Sequence, residues 1–158
     1  MVSQALMTST HSEWYTPPWL LERVAAFLGT DYLDPCPASQ GKPASDGLMG
    51  LWQGRVYCNP PYGRSIGMWT RKALTDPIEE AILLVPARTD TRWFQPLLSH
   101  TVCFVRGRLH FSGSDTGAPF PSALVYIGPR PDVFTRAFAD LGPITQRRLA
   151  RPDAPGRE

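Results

Sequence analysis

At 158 residues, 42% of them hydrophobic, the chain has the length of a single domain able to bury most of its apolar surface. Its formal net charge of +2 is too small for bulk attraction to argue strongly for a nucleic-acid partner, so the distribution of the charges has to carry that question. Cys36, Cys58 and Cys103 are far apart and odd in number, which excludes a disulfide framework and a zinc pattern, and no apolar run is long enough to span a bilayer.

Residues 1–12 are small, polar and aperiodic, and are read as a flexible N-terminus with no signal peptide, so a cytoplasmic location is expected. Structure is expected from Glu13 onward. Thr16 is placed to cap a helix whose first position is Pro17, and Leu20, Leu21, Val24, Ala25, Phe27 and Leu28 give it an apolar face up to Gly29. Trp14 and Tyr15, just before it, suit core packing. Asp31 to Asp34 reads as a short strand ending in Asp34-Pro35, a common local turn, with the small residues Cys36, Pro37 and Ala38 behind it. Residues 39–45 are polar and read as a loop. Asp46-Gly47, ahead of Leu48 and Trp52, suits an Asx-turn.

Arg55 to Cys58 is the next expected strand, because Val56 and Tyr57 favour a pleated surface and Pro60 removes the ladder donor. Asn59 therefore stands at the carboxyl end of a strand, the edge where open α/β sheets place ligands. Two successive prolines fix φ near −65°, and the residue before a proline is pushed out of the helical region, so Asn59-Pro60-Pro61-Tyr62 is stiff before any ligand arrives. The chemistry suited to such a turn is attack by a planar, weakly basic NH2 group. The Asn59 side-chain oxygen and the Pro60 carbonyl can each accept one N–H hydrogen and draw the nitrogen towards tetrahedral geometry, and an amide does this without a perturbed pKa. Tyr62 offers a face on which a base can stack, worth about 1–3 kcal/mol. A proline-stiffened loop is the plainer alternative.

Beyond Tyr62 a helix is expected over Ile66 to Leu74, and Ala81 to Val85 is a continuous apolar run of the kind that forms a strand buried on both faces. Asp90 or Thr91 is placed to cap a helix running to Leu98. Thr101 to Val105 and Ser122 to Ile127 read as strands on either side of a glycine-containing run, and Asp132 to Leu141 as a helix. The expected strands thus centre near residues 32, 57, 83, 103 and 125, and 146–158 reads as a disordered basic tail. Arginine far outnumbers lysine, and Arg64, Arg71, Arg88, Arg92, Arg106 and Arg108 all fall in or near the segments around the turn. Arginine is the better partner for phosphates and base edges, a solvated surface being the alternative.

Asn59-Pro60-Pro61-Tyr62 after a strand resembles the catalytic motif of S-adenosylmethionine-dependent amino-methyltransferases. Together with Trp14-Tyr15-Thr16-Pro17, Asp34-Pro35, Asp46-Gly47-Leu48 with Trp52, Leu84 to Thr91, and Gly107-Arg108-Leu109-His110-Phe111, it is similar to the phage-type DNA adenine-N6 methyltransferase family over roughly Glu13 to Gly128. The resemblance implies a single catalytic domain over 13–145 built on an α/β fold, an abridged Rossmann-like methyltransferase sheet that is mainly parallel with helices on both faces. An unrelated α+β domain is the rival. It also implies S-adenosylmethionine as cofactor, no metal, and DNA as partner, with the target adenine flipped out or presented in a single strand. Asn59, Pro60, Pro61 and Tyr62 take the catalytic positions. Trp14, Tyr15, Thr16, Pro17, Asp34, Pro35, Cys36, Asp46, Leu48 and Asn59 take the cofactor positions, Asp46 as acceptor for the cofactor's adenine amine. The Asp34-Pro35 segment departs from the family in lacking the glycine of the turn. Only some two dozen residues separate Asp34 from Asn59, so the sheet is shortened and no clear acid is left for the ribose.

Arg64, Arg88, Arg92, Arg106 and Arg108 are the candidate DNA contacts, with Phe111 either stacking on the extruded adenine or belonging to the core. With no residues left over for a domain that reads sequence, the target is expected to be short or relaxed unless the protein forms a homodimer. Cytosine N4, RNA adenine and protein glutamine are the rival substrates, and an inactive nucleic-acid-binding module of the same fold is the rival from another class.

Overall fold

A computed structural model of the chain describes residues 14–37 and 47–147. The N-terminus expected to be flexible, the expected loop at 39–45, Asp46 and most of the expected tail lie outside the described residues. One sheet contains β1 (Gly54–Cys58), β2 (Ile78–Pro86), β3 (Thr101–Phe104), β4 (Ser122–Ile127) and β5 (Ile144–Thr145), in the spatial order β1-β2-β4-β3-β5. Of its pairings only β1 with β2 is parallel, whereas β4 opposes both β2 and β3, and β5 opposes β3.

The mainly parallel sheet expected from the resemblance is therefore corrected to a mixed sheet with mostly antiparallel pairing. β4 follows β3 through residues 105–121, which contain no helix, and neighbours joined without a crossover are free to pair antiparallel. Because β4 opposes both its neighbours, β1, β2 and β3 still point the same way. Their carboxyl ends and the amino end of β4 form a single edge. The strand expected near residue 32 is reduced to one parallel bridge, Leu33 with Val56, held by Leu33 N–H to Arg55 O at 2.8 Å and Tyr57 N–H to Leu33 O at 2.9 Å. Pro35, without an N–H, stops it there.

Strand alternation divides the core between two layers. Tyr57, Ile82, Leu84, Leu124 and Tyr126 face α1 (Pro18–Leu28) and α3 (Pro131–Phe138), whose Leu20, Val24, Phe27, Phe134 and Phe138 complete that layer. Val56, Cys58, Ala81, Leu83, Val85 and Val125 face α2 (Ile66–Thr75) through Ile66, Trp69 and Ala73. Helices thus cover both faces, as expected, and Ala81 to Val85 is buried throughout. Among the described residues no helix is long and apolar enough to cross a membrane.

Three local expectations change. Pro17, not Thr16, takes the capping position of α1, and the Thr16 hydroxyl turns elsewhere. The helix expected up to Leu98 is a series of turns closed by a 3-10 helix, Gln95–Ser99. Thr91 caps one turn through Phe94 N–H at 3.3 Å, but Pro96 brings no donor for an α-helix to continue. The short edge strand β5 was not anticipated.

At the end of the sheet away from the β2 carboxyl terminus, buried Glu80 accepts hydrogen bonds from Arg130 at 2.7 and 3.1 Å and from the Tyr126 hydroxyl at 2.7 Å. Arg130 also donates to Phe27 O at 3.0 Å and lies over the Phe27 ring, so one ion pair joins α1, β2, β4 and the start of α3.

Candidate active site

β1 ends at Cys58, and the Asn59 side chain continues the face of the strand that carries Tyr57. Asn59 Nδ2 donates to Trp14 O at 2.5 Å and to Thr16 Oγ1 at 3.1 Å, and Thr16 Oγ1 lies 2.6 Å from the Tyr57 hydroxyl. A carbonyl can only accept, so Trp14 O fixes which end of the amide is nitrogen. The oxygen, Asn59 Oδ1, is buried and has no partner among the described residues. Pro60 O accepts no backbone hydrogen bond among them either. An unpaired buried acceptor costs about 1–3 kcal/mol, and such groups in native proteins call for an explanation. Here two carbonyl oxygens on a stiff turn stand free while the donors of the same amide are committed.

The segment that supplies Trp14 O is tied down on several sides. Tyr15 pairs with Ser112 through Ser112 N–H to Tyr15 O at 2.9 Å, and Pro17 O accepts from Leu20 N–H at 3.0 Å. The Trp14 ring packs edge-on against Phe111 and Phe120, with centroids 5.5 and 5.3 Å away. Tyr62 also meets Phe120 edge-on, at 5.4 Å, and its hydroxyl donates to Leu84 O at 3.1 Å. Burial pushes the Tyr62 phenol well above its ordinary value, so it stays neutral and is a donor rather than a base. Phe111, only 2% exposed, fills the space between Trp14, Tyr62 and Phe120. It belongs to the core, one of the two places the sequence left open for it.

The bridge between Leu33 and Val56 brings Asp34 alongside the last residues of β1. Cys36 N–H donates to Asp34 Oδ1 at 3.0 Å. Even so, burial dominates and pushes the Asp34 carboxyl up to about 6. No cation pairs with it among the described residues. Burial, helped by the Asp34 charge, pushes the Cys36 thiol to about 11, so it remains a neutral thiol. Pro35 is half-buried beside them, and Gly47 lies against its carbonyl. A Cβ built on Gly47 would stand 2.0 Å from Pro35 O and 2.8 Å from the Trp69 ring. Gly47 O in turn accepts from Trp52 Nε1 at 2.8 Å. Gly47 thus packs its backbone directly against the Asp34-Pro35 turn, where any side chain would collide with Pro35 O. Leu48 is half-buried against the layer of α2, and Asp46 lies outside the described residues.

Arg64, Arg88, Arg92, Arg106 and Arg108 are all exposed, on the segments that leave β1, β2 and β3 at the common edge. Sequence reasoning missed Tyr57, taken only as a strand former. Period-two alternation puts Tyr57 and Asn59 on one face, which was the available signal. Phe120 had none beyond its neighbours.

The arrangement leaves hydrogen-bond acceptors free at a strand end, with a half-buried carboxylate that no cation pairs among the described residues on the adjoining strand end. No curated protein matches the chain, and no solved structure matches it. Residues 3–123, which include every element of this arrangement, match the family described as DNA N-6-adenine-methyltransferase (Dam), and the chain belongs to that family.

Proposed function

We propose that the chain transfers a methyl group from S-adenosylmethionine to N6 of adenine in DNA, at a short or relaxed target sequence. Membership of the DNA adenine-N6 methyltransferase family supports the reaction class. The observation that carries the reading is the buried, unpaired Asn59 Oδ1. Facing an exocyclic amine, it and Pro60 O accept the two N–H hydrogens and localise the lone pair on nitrogen. This interaction strengthens as the nitrogen becomes tetrahedral, so it favours the transition state over bound substrate. Tyr62 and Pro61 border the same turn, with Tyr62 as the surface against which the base rests.

The residues present fit the cofactor. Asp34, half-buried and without a cation, suits the ammonium of the cofactor's amino-acid part, while the backbone of Trp14 to Pro17 and the neutral Cys36 border the same strand ends. Leu48 and Asp46 are proposed for its adenine. When bound, S-adenosylmethionine supplies an electrophilic methyl on a sulfonium that departs as a neutral thioether. The chain's own contribution is alignment of nucleophile and methyl, which is worth up to about 7–11 kcal/mol. Asn59 takes up no proton, so the proton released from N6 passes to water.

Incubation of the protein with radiolabelled cofactor and, separately, DNA, RNA or a protein extract tests the assignment. Label is expected in DNA, as N6-methyladenine. Label on glutamine, on RNA alone or on cytosine would overturn it.

A further inference from the structure

On the side of the sheet covered by α2, a groove of about 640 Å³ runs between that helix and the segment that follows β2. Its lining contains four basic side chains, Arg64, Arg71, Lys72 and Arg92, and no acidic one. Lys72 is neutralised by Asp76 at 2.7 Å, whereas Arg64, Arg71 and Arg92 are exposed and form no ion pair among the described residues. Trp93, half-buried, and Met68, 54% exposed, add an apolar strip to the same groove. Arg64 sits two residues beyond Tyr62, so the Arg64 end of the groove is carried by the segment that follows the Asn59 turn. Arg71 lies five residues into α2 from Ile66, roughly 7.5 Å along the axis at 1.5 Å per helical residue. That is the rise of about two nucleotides of one strand at 3.4 Å each.

We propose that this groove holds the sugar–phosphate backbone of the DNA strand carrying the target adenine, with Arg64, Arg92 and Arg71 on its phosphates and Trp93 against a base. The proposal rests on the reading of the chain as a DNA methyltransferase and extends it. It selects α2 and the segment after β2 as the path of the strand, and it adds Arg71, which faces the groove from the outer surface of the helix. The apolar strip beside the cations distinguishes a nucleic-acid strand, which offers both phosphates and base faces, from a free anion.

Fluorescence anisotropy with single-stranded and duplex oligonucleotides, for the wild type, Arg71→Ala and Arg92→Ala across a salt series, tests the proposal. Alanine suits an exposed helix position, so Arg71→Ala is expected to fold. Each variant is expected to bind more weakly and to lower the slope of log K against log salt by about 0.9 on duplex or about 0.7 on a single strand, and the larger loss identifies the form the groove holds. On duplex, the gap between wild type and variant should shrink about 3.5-fold between 50 and 200 mM salt. Variants with wild-type affinity and slope, in a protein that still methylates DNA, would overturn the groove and leave the activity standing. A change in oligomeric state without a change in DNA affinity would overturn it in favour of a second copy as occupant. A wild type that neither binds nor methylates DNA would remove both.

Discussion

Asn59 is defined less by its own letter than by what holds its nitrogen. The Trp14 carbonyl and the Thr16 hydroxyl take both donors, and the oxygen is left without a partner among the described residues. Thr16→Val should therefore lower turnover roughly ten- to hundredfold by releasing the amide from one of its restraints, since small misplacements at a reacting centre carry penalties of that order. Tyr57→Phe, which leaves the bond between Thr16 and Asn59 in place, should act more weakly. Steady-state rates of the two variants side by side check this. Asp34 supplies a pH signature. Its carboxyl, raised to about 6 by burial, is neutral below that pH and charged above it. A cationic cofactor should bind more weakly as pH falls through about 6, by up to tenfold per unit, and Asp34→Asn should flatten the profile. The stability of the free protein should move the other way, its Asp34 contribution being present below about pH 4 and lost as pH rises through about 6, because the charged form is desolvated. Titration calorimetry and thermal melts across that range read both effects.

Among the elements, some were legible in the sequence and some were not. α1 and α2 announce themselves by helical spacing, and β2 by an unbroken apolar run between Glu80 and Pro86. The direction of β4 does not show, because a strand buried on both faces reads the same whichever way it runs. Only its pairing with β2 and β3 reveals it. The stiff turn was legible because Pro60 and Pro61 fix their own backbone. The part Trp14 plays was not, because it acts through its carbonyl and a backbone atom leaves no mark in the side-chain pattern. Gly47 illustrates the same limit, since its value lies in the missing Cβ against Pro35 O. Gly47→Ala should cost about 1–3 kcal/mol, as overpacking does, and weaken cofactor binding with it. The Glu80 and Arg130 pair is a separate matter of stability. Arg130→Ala strands a carboxylate that is 7% exposed, and because Arg130 itself is 39% exposed the loss should fall at the lower end of the range for broken buried pairs, about 3 kcal/mol. Arg23→Ala, which breaks the exposed pair with Asp140, should leave the melting temperature nearly unchanged. Thermal melts of these variants decide whether burial of the carboxylate, rather than the mere presence of an ion pair, makes the difference.

Across the whole molecule, the sheet gathers the Asn59 turn, the Asp34 turn and the exposed arginines at one edge, while the Glu80 clamp secures the other. A net charge of +2 becomes compatible with DNA binding once Arg64, Arg71 and Arg92 share a groove free of acids. A surface of this extent touches few base pairs, so genome-wide mapping of methylated adenines in cells expressing the protein should give a short or relaxed motif. A strict motif of six or more base pairs made by a monomer would contradict that. The central claim is that the free oxygen of Asn59 activates adenine N6 for methylation. Its most direct test is nucleoside mass spectrometry of DNA incubated with cofactor and either the wild type or Asn59→Ala. The wild type should yield N6-methyladenine and the variant roughly 10²–10³-fold less, the usual loss for one such hydrogen bond at a reacting centre. Near-equal yields from the two proteins would contradict the claim.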